Sequence, residues 1–188
     1  MAAGRKRKAG VKRINGRISR RESDRQAQRS LEQQDAMSVA RSARERVFGV
    51  DRVHSGTELA GSFVGRLYLT GEIRRHQLDA ARAFCVEWVA YSRALGLPAQ
   101  PRAVDLSGIR SGSAYEITPE QQRTAVARWD ASVWAVTEAN MQCREGALYP
   151  ALYYCVLLDQ SHTHMVGDMR LGLNALARHY RIAEADAA

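Results

Sequence analysis

The sequence predicts an all-α fold: a small helical bundle of about five helices, preceded by a basic disordered arm and a projecting helix. Three observations lead there. Of the 188 residues 45% are hydrophobic and only four are Pro, so a core is affordable and helix breakers are few. Apolar residues in the C-terminal three quarters recur at helical spacing, with no strand-like alternation. Charge is segregated: residues 1–50 hold 14 Lys+Arg against 5 Asp+Glu, a net of +9, whereas residues 51–188 hold 14 against 15, a net of −1. The total of +8 therefore belongs to an arm and not to the folding body.

Residues 1–21 contain nine Lys+Arg, no acidic residue, and Gly4, Gly10 and Gly16. Such a segment has too little apolar surface to offset its ordering entropy and is expected to be disordered. From 22 to 48 the glycines vanish and Gln, Arg, Glu and Ala dominate, which predicts a weakly packed helical extension with sparse apolar residues. Residues 49–56 read as a linker and 57–182 as the helical domain. Ser55 or Thr57 can cap its first helix, which runs to about Tyr68. Thr70-Gly71 makes a turn, and a long helix follows from about Ile73 to Leu95 with Leu78, Ala81, Cys85 and Trp88 on one stripe and Phe84, Tyr91 and Leu95 beside it. Gly96 and Pro98 stop it. Residues 97–117, rich in Gly and Ser, form a long loop.

Thr118-Pro119-Glu120-Gln121 then supplies an N-cap, a first-turn proline and a capping-box glutamine. Val126, Trp129, Val133 and Val136 form the buried face of that helix, and Gly146 closes it. Residues 148–158 are apolar nearly all round and predict a central helix. The last helix begins near Gly167 with Asp168 as cap, runs to Arg181, and turns Met169, Leu173, Leu176 and Tyr180 inward. Residues 183–188 read as a disordered tail.

The arm carries the clearest chemistry. Arg5, Lys6, Arg7, Lys8, Lys12, Arg13, Arg17, Arg20 and Arg21 are spaced by small residues, so successive cations can track phosphates and release counterions. No aromatic residue precedes Phe48, so the arm alone cannot stack on bases and should bind without sequence preference. The competing reading is a solubilising tail incidental to a protein–protein interaction module. A second candidate is a helix-turn-helix: residues 67–73 join two helices by a tight Gly-containing turn, and Arg74, Arg75 and Gln77, with His76, open the second helix where a recognition helix meets bases. An ordinary helical corner with a solvated first turn is the alternative.

His162, His164, Cys155 and Asp159 offer metal-ligand types without a fixed ladder of ligands, so a polar turn is expected there and no metal or cofactor. Cys85 and Cys155 fit inward stripes, Trp129 fits the core, and Trp134, one position off the stripe, is expected at the flank of the core, with partial exposure and a partner contact as the alternative. Three widely spaced cysteines with no C-x-x-C suit a reduced, cytoplasmic setting. No apolar run approaches the ~20 residues needed to span a bilayer, and no apolar stretch follows the basic start as in a secretory signal. There is no GxSxG, P-loop or HExxH, so no enzymatic activity is expected.

Three stretches carry a resemblance. Arg5-Lys6-Arg7, Gly10, Arg13 and Gly16-Arg17 are similar to a basic "RKR…G.R…GR" start. Gly65-Arg66-Leu67 through Leu78 to Phe84 resembles a "G.L...G.I...Q..AG.RF" helix pair, and residues 169–180 resemble an "LR.ALD.LA.HYG" ending. Together they resemble a family of short proteins from phages and prophages of alphaproteobacteria, whose domain is similar to the C-terminal part of gene-transfer-agent transcription activators. Arg181 stands where that ending has Gly, and Asn174 where it has Asp. Residues 160–168 leave little room for an additional scanning helix. The resemblance implies phage or prophage biology and contact with DNA or the transcription machinery. RNA polymerase, or the large terminase subunit if the role resembles that of a small terminase subunit in packaging, is then the expected partner. A homo-oligomer would favour packaging, and a monomer that pulls down RNA polymerase would favour regulation.

Overall fold

The computed structural model describes residues 22–97, 117–143 and 146–183, and among these every regular element is helical. The chain divides into two compact units at Gly49/Val50. In the first, α1 spans Glu22–Phe48 and ends at Gly49, whose φ of 63° and N–H bond to the Glu45 carbonyl (3.1 Å) make a glycine C-terminal cap. Leu31, Val39 and Val47 of α1 remain 62%, 69% and 63% exposed, as its sparse apolar pattern predicts.

The second unit opens with one helical turn, α2 (Arg52–Ser55), inside the segment expected to be a plain linker. Ser55 and Thr57, the expected caps, instead donate their hydroxyls back to the carbonyls of Arg52 (2.9 Å) and His54 (2.7 Å). The helix expected to begin there is broken. A 3-10 turn (Glu58–Gly61) leads to Ser62, which is the true cap of α3 (Phe63–Leu69) and accepts from the Gly65 N–H at 3.0 Å. A Cβ on Gly65 would lie 2.0 Å from the Leu59 carbonyl oxygen, so only glycine lets α3 approach that turn. Asp159, 96 residues away, completes the cap by accepting from the Phe63 N–H at 2.6 Å.

Helix α4 (Arg75–Ala94) follows, and α5 (Pro119–Met141) begins on the capping box read in the sequence: Thr118 N–H donates to Gln121 Oε1 (3.1 Å) and Gln121 N–H to Thr118 Oγ1 (3.3 Å). The buried stripe of α5 centres on Trp129, Ser132 and Val136, with Val126 and Val133 at its half-buried edges. Helix α6 (Leu148–Leu152) passes into a π-helical turn (Tyr153–Leu157). The segment is not buried all round as its composition suggested. Leu148, Ala151, Leu152, Cys155, Val156 and Leu157 face the core, while Tyr149 and Tyr153 are half-buried and Tyr154 is exposed.

Helix α7 (Val166–His179) starts two residues before Asp168, so Asp168 is not its cap; its carboxylate accepts from the Ala147 N–H (3.3 Å) at the entry to α6. At the far end, Arg181 N–H bonds to the Arg178 carbonyl (3.1 Å) and Ile182 N–H to the Ala177 carbonyl (2.9 Å), the Schellman pattern, with Arg181 at φ 55°. An L side chain is disfavoured there, which explains physically why a glycine suits this position. Arg181→Gly is expected to stabilise the domain by about 0.5–1 kcal/mol, the relieved left-handed strain less the added freedom of the unfolded chain. A rise in thermal midpoint checks it.

The core joins α3, α4, α5, α6 and α7. Trp129 is its aromatic hub, with ring centroids 4.8 Å from Phe84, 5.0 Å from Trp88 and 5.4 Å from Tyr91. Cys85 and Cys155 are fully buried and Trp134 is 63% exposed. Among the described residues no helix is long and apolar enough to cross a membrane.

Candidate nucleic-acid interface

Of the residues expected to contact nucleic acid, Arg5, Lys6, Arg7, Lys8, Lys12, Arg13, Arg17, Arg20 and Arg21 lie outside the described residues. The α3–α4 corner, which carries Arg74, Arg75 and Gln77, is described in full. α3 ends in a second Schellman turn: Gly71 N–H bonds to the Tyr68 carbonyl (3.1 Å), Glu72 N–H to that of Leu67 (2.8 Å), and Gly71 takes φ 77°. The buried Ile73 then sets the chain for α4, with Arg74 as N-cap residue.

The first turn of α4 is occupied from within. The Arg74 N–H donates to Gln77 Oε1 at 2.8 Å, and Gln77 Nε2 donates to Asn174 Oδ1 of α7 at 2.9 Å. His76 Nε2 lies 3.3 Å from the same oxygen. His76 and Gln77 are 8% and 3% exposed. Gln77, expected to contact nucleic acid, is thus buried and bonded within the domain. A recognition helix needs its N-terminal amides free for base edges, and this one is spent on capping α4 and holding α7. Gln77→Ala is expected to cost about 1–3 kcal/mol, because it strips Asn174 and the Arg74 N–H of a buried partner. Affinity for random duplex DNA should stay unchanged, as a melt paired with a binding titration would show.

Arg74 and Arg75 are exposed. The Arg75 Nε sits 2.9 Å from Asp79 Oδ2, and Asp79 also lies 3.6 Å from Arg82 Nη1. The hydrogen bond to Asp79, followed by one to the Tyr68 phenol, holds the Arg75 guanidinium above its ordinary pKa. These contacts are solvent-screened, so they hold the guanidinium only weakly.

His162, Asp159 and Cys155 each have a partner or a packed setting within the domain. His162 Nε2 is 2.9 Å from Gln160 Oε1, Asp159 caps α3, and burial pushes the Cys155 thiol pKa up. Among the described residues no three His, Cys, Asp or Glu side chains converge on a common point that could hold a metal ion. The sequence reading missed a polar clasp: Tyr180 donates its phenol to Glu87 Oε2 (2.8 Å), Ser132 donates to the same oxygen, and the two hydroxyls lie 3.1 Å apart. Its signal was present, since Glu87 falls on the Phe84–Trp88–Tyr91 stripe where a lone carboxylate needs partners. Ser132 is fully buried, and the clasp ties α4, α5 and the end of α7.

Fold and corner together define a small all-helical domain with Arg74 and Arg75 exposed at the α3–α4 corner. Compared with protein-family models, curated proteins and solved structures, the chain matches none.

Proposed function

We propose that this chain is a non-enzymatic, phage-related DNA-binding protein in which residues 1–21 grip the phosphate backbone and the helical domain orients them or binds a partner. The observation that carries this reading is the charge distribution. Nine cations and no anion occupy residues 1–21, residues 22–48 hold five of each sign, and residues 51–188 carry a net of −1. Arg74 and Arg75 add a second, smaller patch for phosphate, and the engagement of Gln77 favours binding that tolerates any sequence. Packaging accessory and transcription regulator are the two roles that fit, with the large terminase subunit or RNA polymerase as partner and the cytoplasm as compartment. Replacing the nine arm cations by Gln should lower affinity for random duplex DNA at least tenfold at moderate salt and leave the thermal melt nearly unchanged. Unaltered affinity would overturn the reading.

A second reading, a protein–protein interaction module with an incidental basic tail, draws on a different observation. Trp134 and Met141, seven residues apart on α5, are 63% and 72% exposed and share a helix face. Partner capture abolished by Trp134→Ala, with no DNA affinity in the parent chain, would favour it.

A further inference from the structure

The outward side of α5 carries a stripe that the packing of the domain does not use. Ala127, Ala131, Trp134, Glu138 and Met141 recur at steps of four and three residues, so they share one face. All five are exposed, Trp134 at 63% and Met141 at 72%, on the side away from the buried Trp129, Ser132 and Val136. Arg123, also exposed, extends the stripe by one further step of four toward the N-terminus. Among the described residues neither Arg123 nor Glu138 has an ion-pair partner.

The order of residues along this stripe is its own complement when reversed. Arg123 lies four residues before Ala127, and Glu138 lies four residues after Trp134. Let a second copy of α5 run antiparallel with its Trp134 over Ala127. Its Glu138 then falls over Arg123, because both steps are about 6 Å along the axis. A two-fold axis repeats the match, so each end of the contact sets an indole on an alanine and a guanidinium on a carboxylate. Ala127 is small and leaves room for the ring. Beside it a groove of about 390 Å³ opens between α4 and α5, lined in part by Val86, Ala90, Thr124, Ala125 and Arg128. An exposed Trp and an apolar groove are the anchor and the seat on which protein contacts depend, and Arg128 can lie over the face of the incoming ring.

We infer that α5 is a homodimerisation surface, with two copies of this protein packed antiparallel through Trp134, Ala127, Arg123 and Glu138. The surface lies wholly within the helical domain and does not depend on the DNA-binding reading. Charge order selects a second copy over a foreign partner, since this helix already carries the sequence of groups that matches it. The contact is modest in size. The 23 residues of α5 make a face about 34 Å long and roughly 10 Å wide, or about 350 Å² per copy, against the ~800 Å² of a standard interface. Asp130, next to Ala131, brings two like charges toward the two-fold axis and weakens the pair further. The dimer is therefore reversible, with a dissociation constant in the micromolar range or above.

Sedimentation equilibrium of the full chain, from about 5 to about 500 µM, tests this. The average mass should rise from that of one 20.9 kDa chain toward twice that value. Trp134→Ala should weaken association at least tenfold. Glu138→Arg and Arg123→Glu each set like charges against one another at both ends and should also weaken it. An equimolar mixture of those two variants again opposes unlike charges at both ends and should recover the parent association. All three substitutions are on the surface, so the thermal melt of the dilute chain should not move. A chain that stays monomeric throughout the range, an association untouched by Trp134→Ala, or a mixture no better than its components would overturn the surface.

Discussion

Trp129→Ala is expected to lower the stability of the helical domain by about 3–5 kcal/mol, a large share of the ~5–15 kcal/mol that holds a domain of this size. Trp129 is 4% exposed and meets three rings of α4 spaced at i, i+4 and i+7. Removing the indole deletes the largest buried side chain joining α4 to α5 and leaves Phe84 facing a void. Neither neighbour can collapse freely, because Thr118 caps one helix and the Gly96 turn ends the other. Chemical denaturation would read the loss as a lower midpoint at unchanged slope. A change under about 1 kcal/mol would show that the aromatic hub is peripheral to the core.

Glu87→Ala should cost about 1–3 kcal/mol, since it deprives the buried Ser132 hydroxyl and the half-buried Tyr180 phenol of their shared acceptor. Glu87→Gln, which keeps an amide oxygen in place, should cost less. The clasp also sets a pH dependence. Burial pushes the Tyr180 phenol well above its ordinary pKa; the Ser132 hydrogen bond opposes this, and the Glu87 carboxylate adds to it. The folded chain therefore keeps a proton that the unfolded chain releases above about pH 10, so this stabilisation is complete below about pH 10 and is lost as pH rises beyond it. Thermal midpoints followed from neutral to alkaline pH should fall less steeply in Tyr180→Phe than in the parent chain. Parallel curves would remove Tyr180 from the account.

Local signals in the sequence translated directly into structure. The Thr118 capping box, the glycine turns at Gly71 and Gly96 and the burial of Trp129 each depend on residues within about four positions, where caps and periodicity act; Trp134, expected at the flank of the core, is instead exposed. What stayed hidden was long-range. The Asp159–Phe63, Gln77–Asn174 and Tyr180–Glu87 bonds join residues 96, 97 and 93 positions apart. Asp168 looked like a cap because cap and distant acceptor share one chemistry, and only the fold shows that it serves Ala147. The Gln77 bonds to α7 were hidden for the same reason: a polar residue opening a helix can serve an outside ligand or a neighbouring helix.

The central claim is that cations on residues 1–21 neutralise phosphates. Its most direct measurement is the affinity of the full chain for random duplex DNA across a salt series. If six to eight phosphates are neutralised, log K should fall against log[salt] with a slope of roughly −5 to −7. A slope near zero, or no binding in dilute buffer, would contradict it.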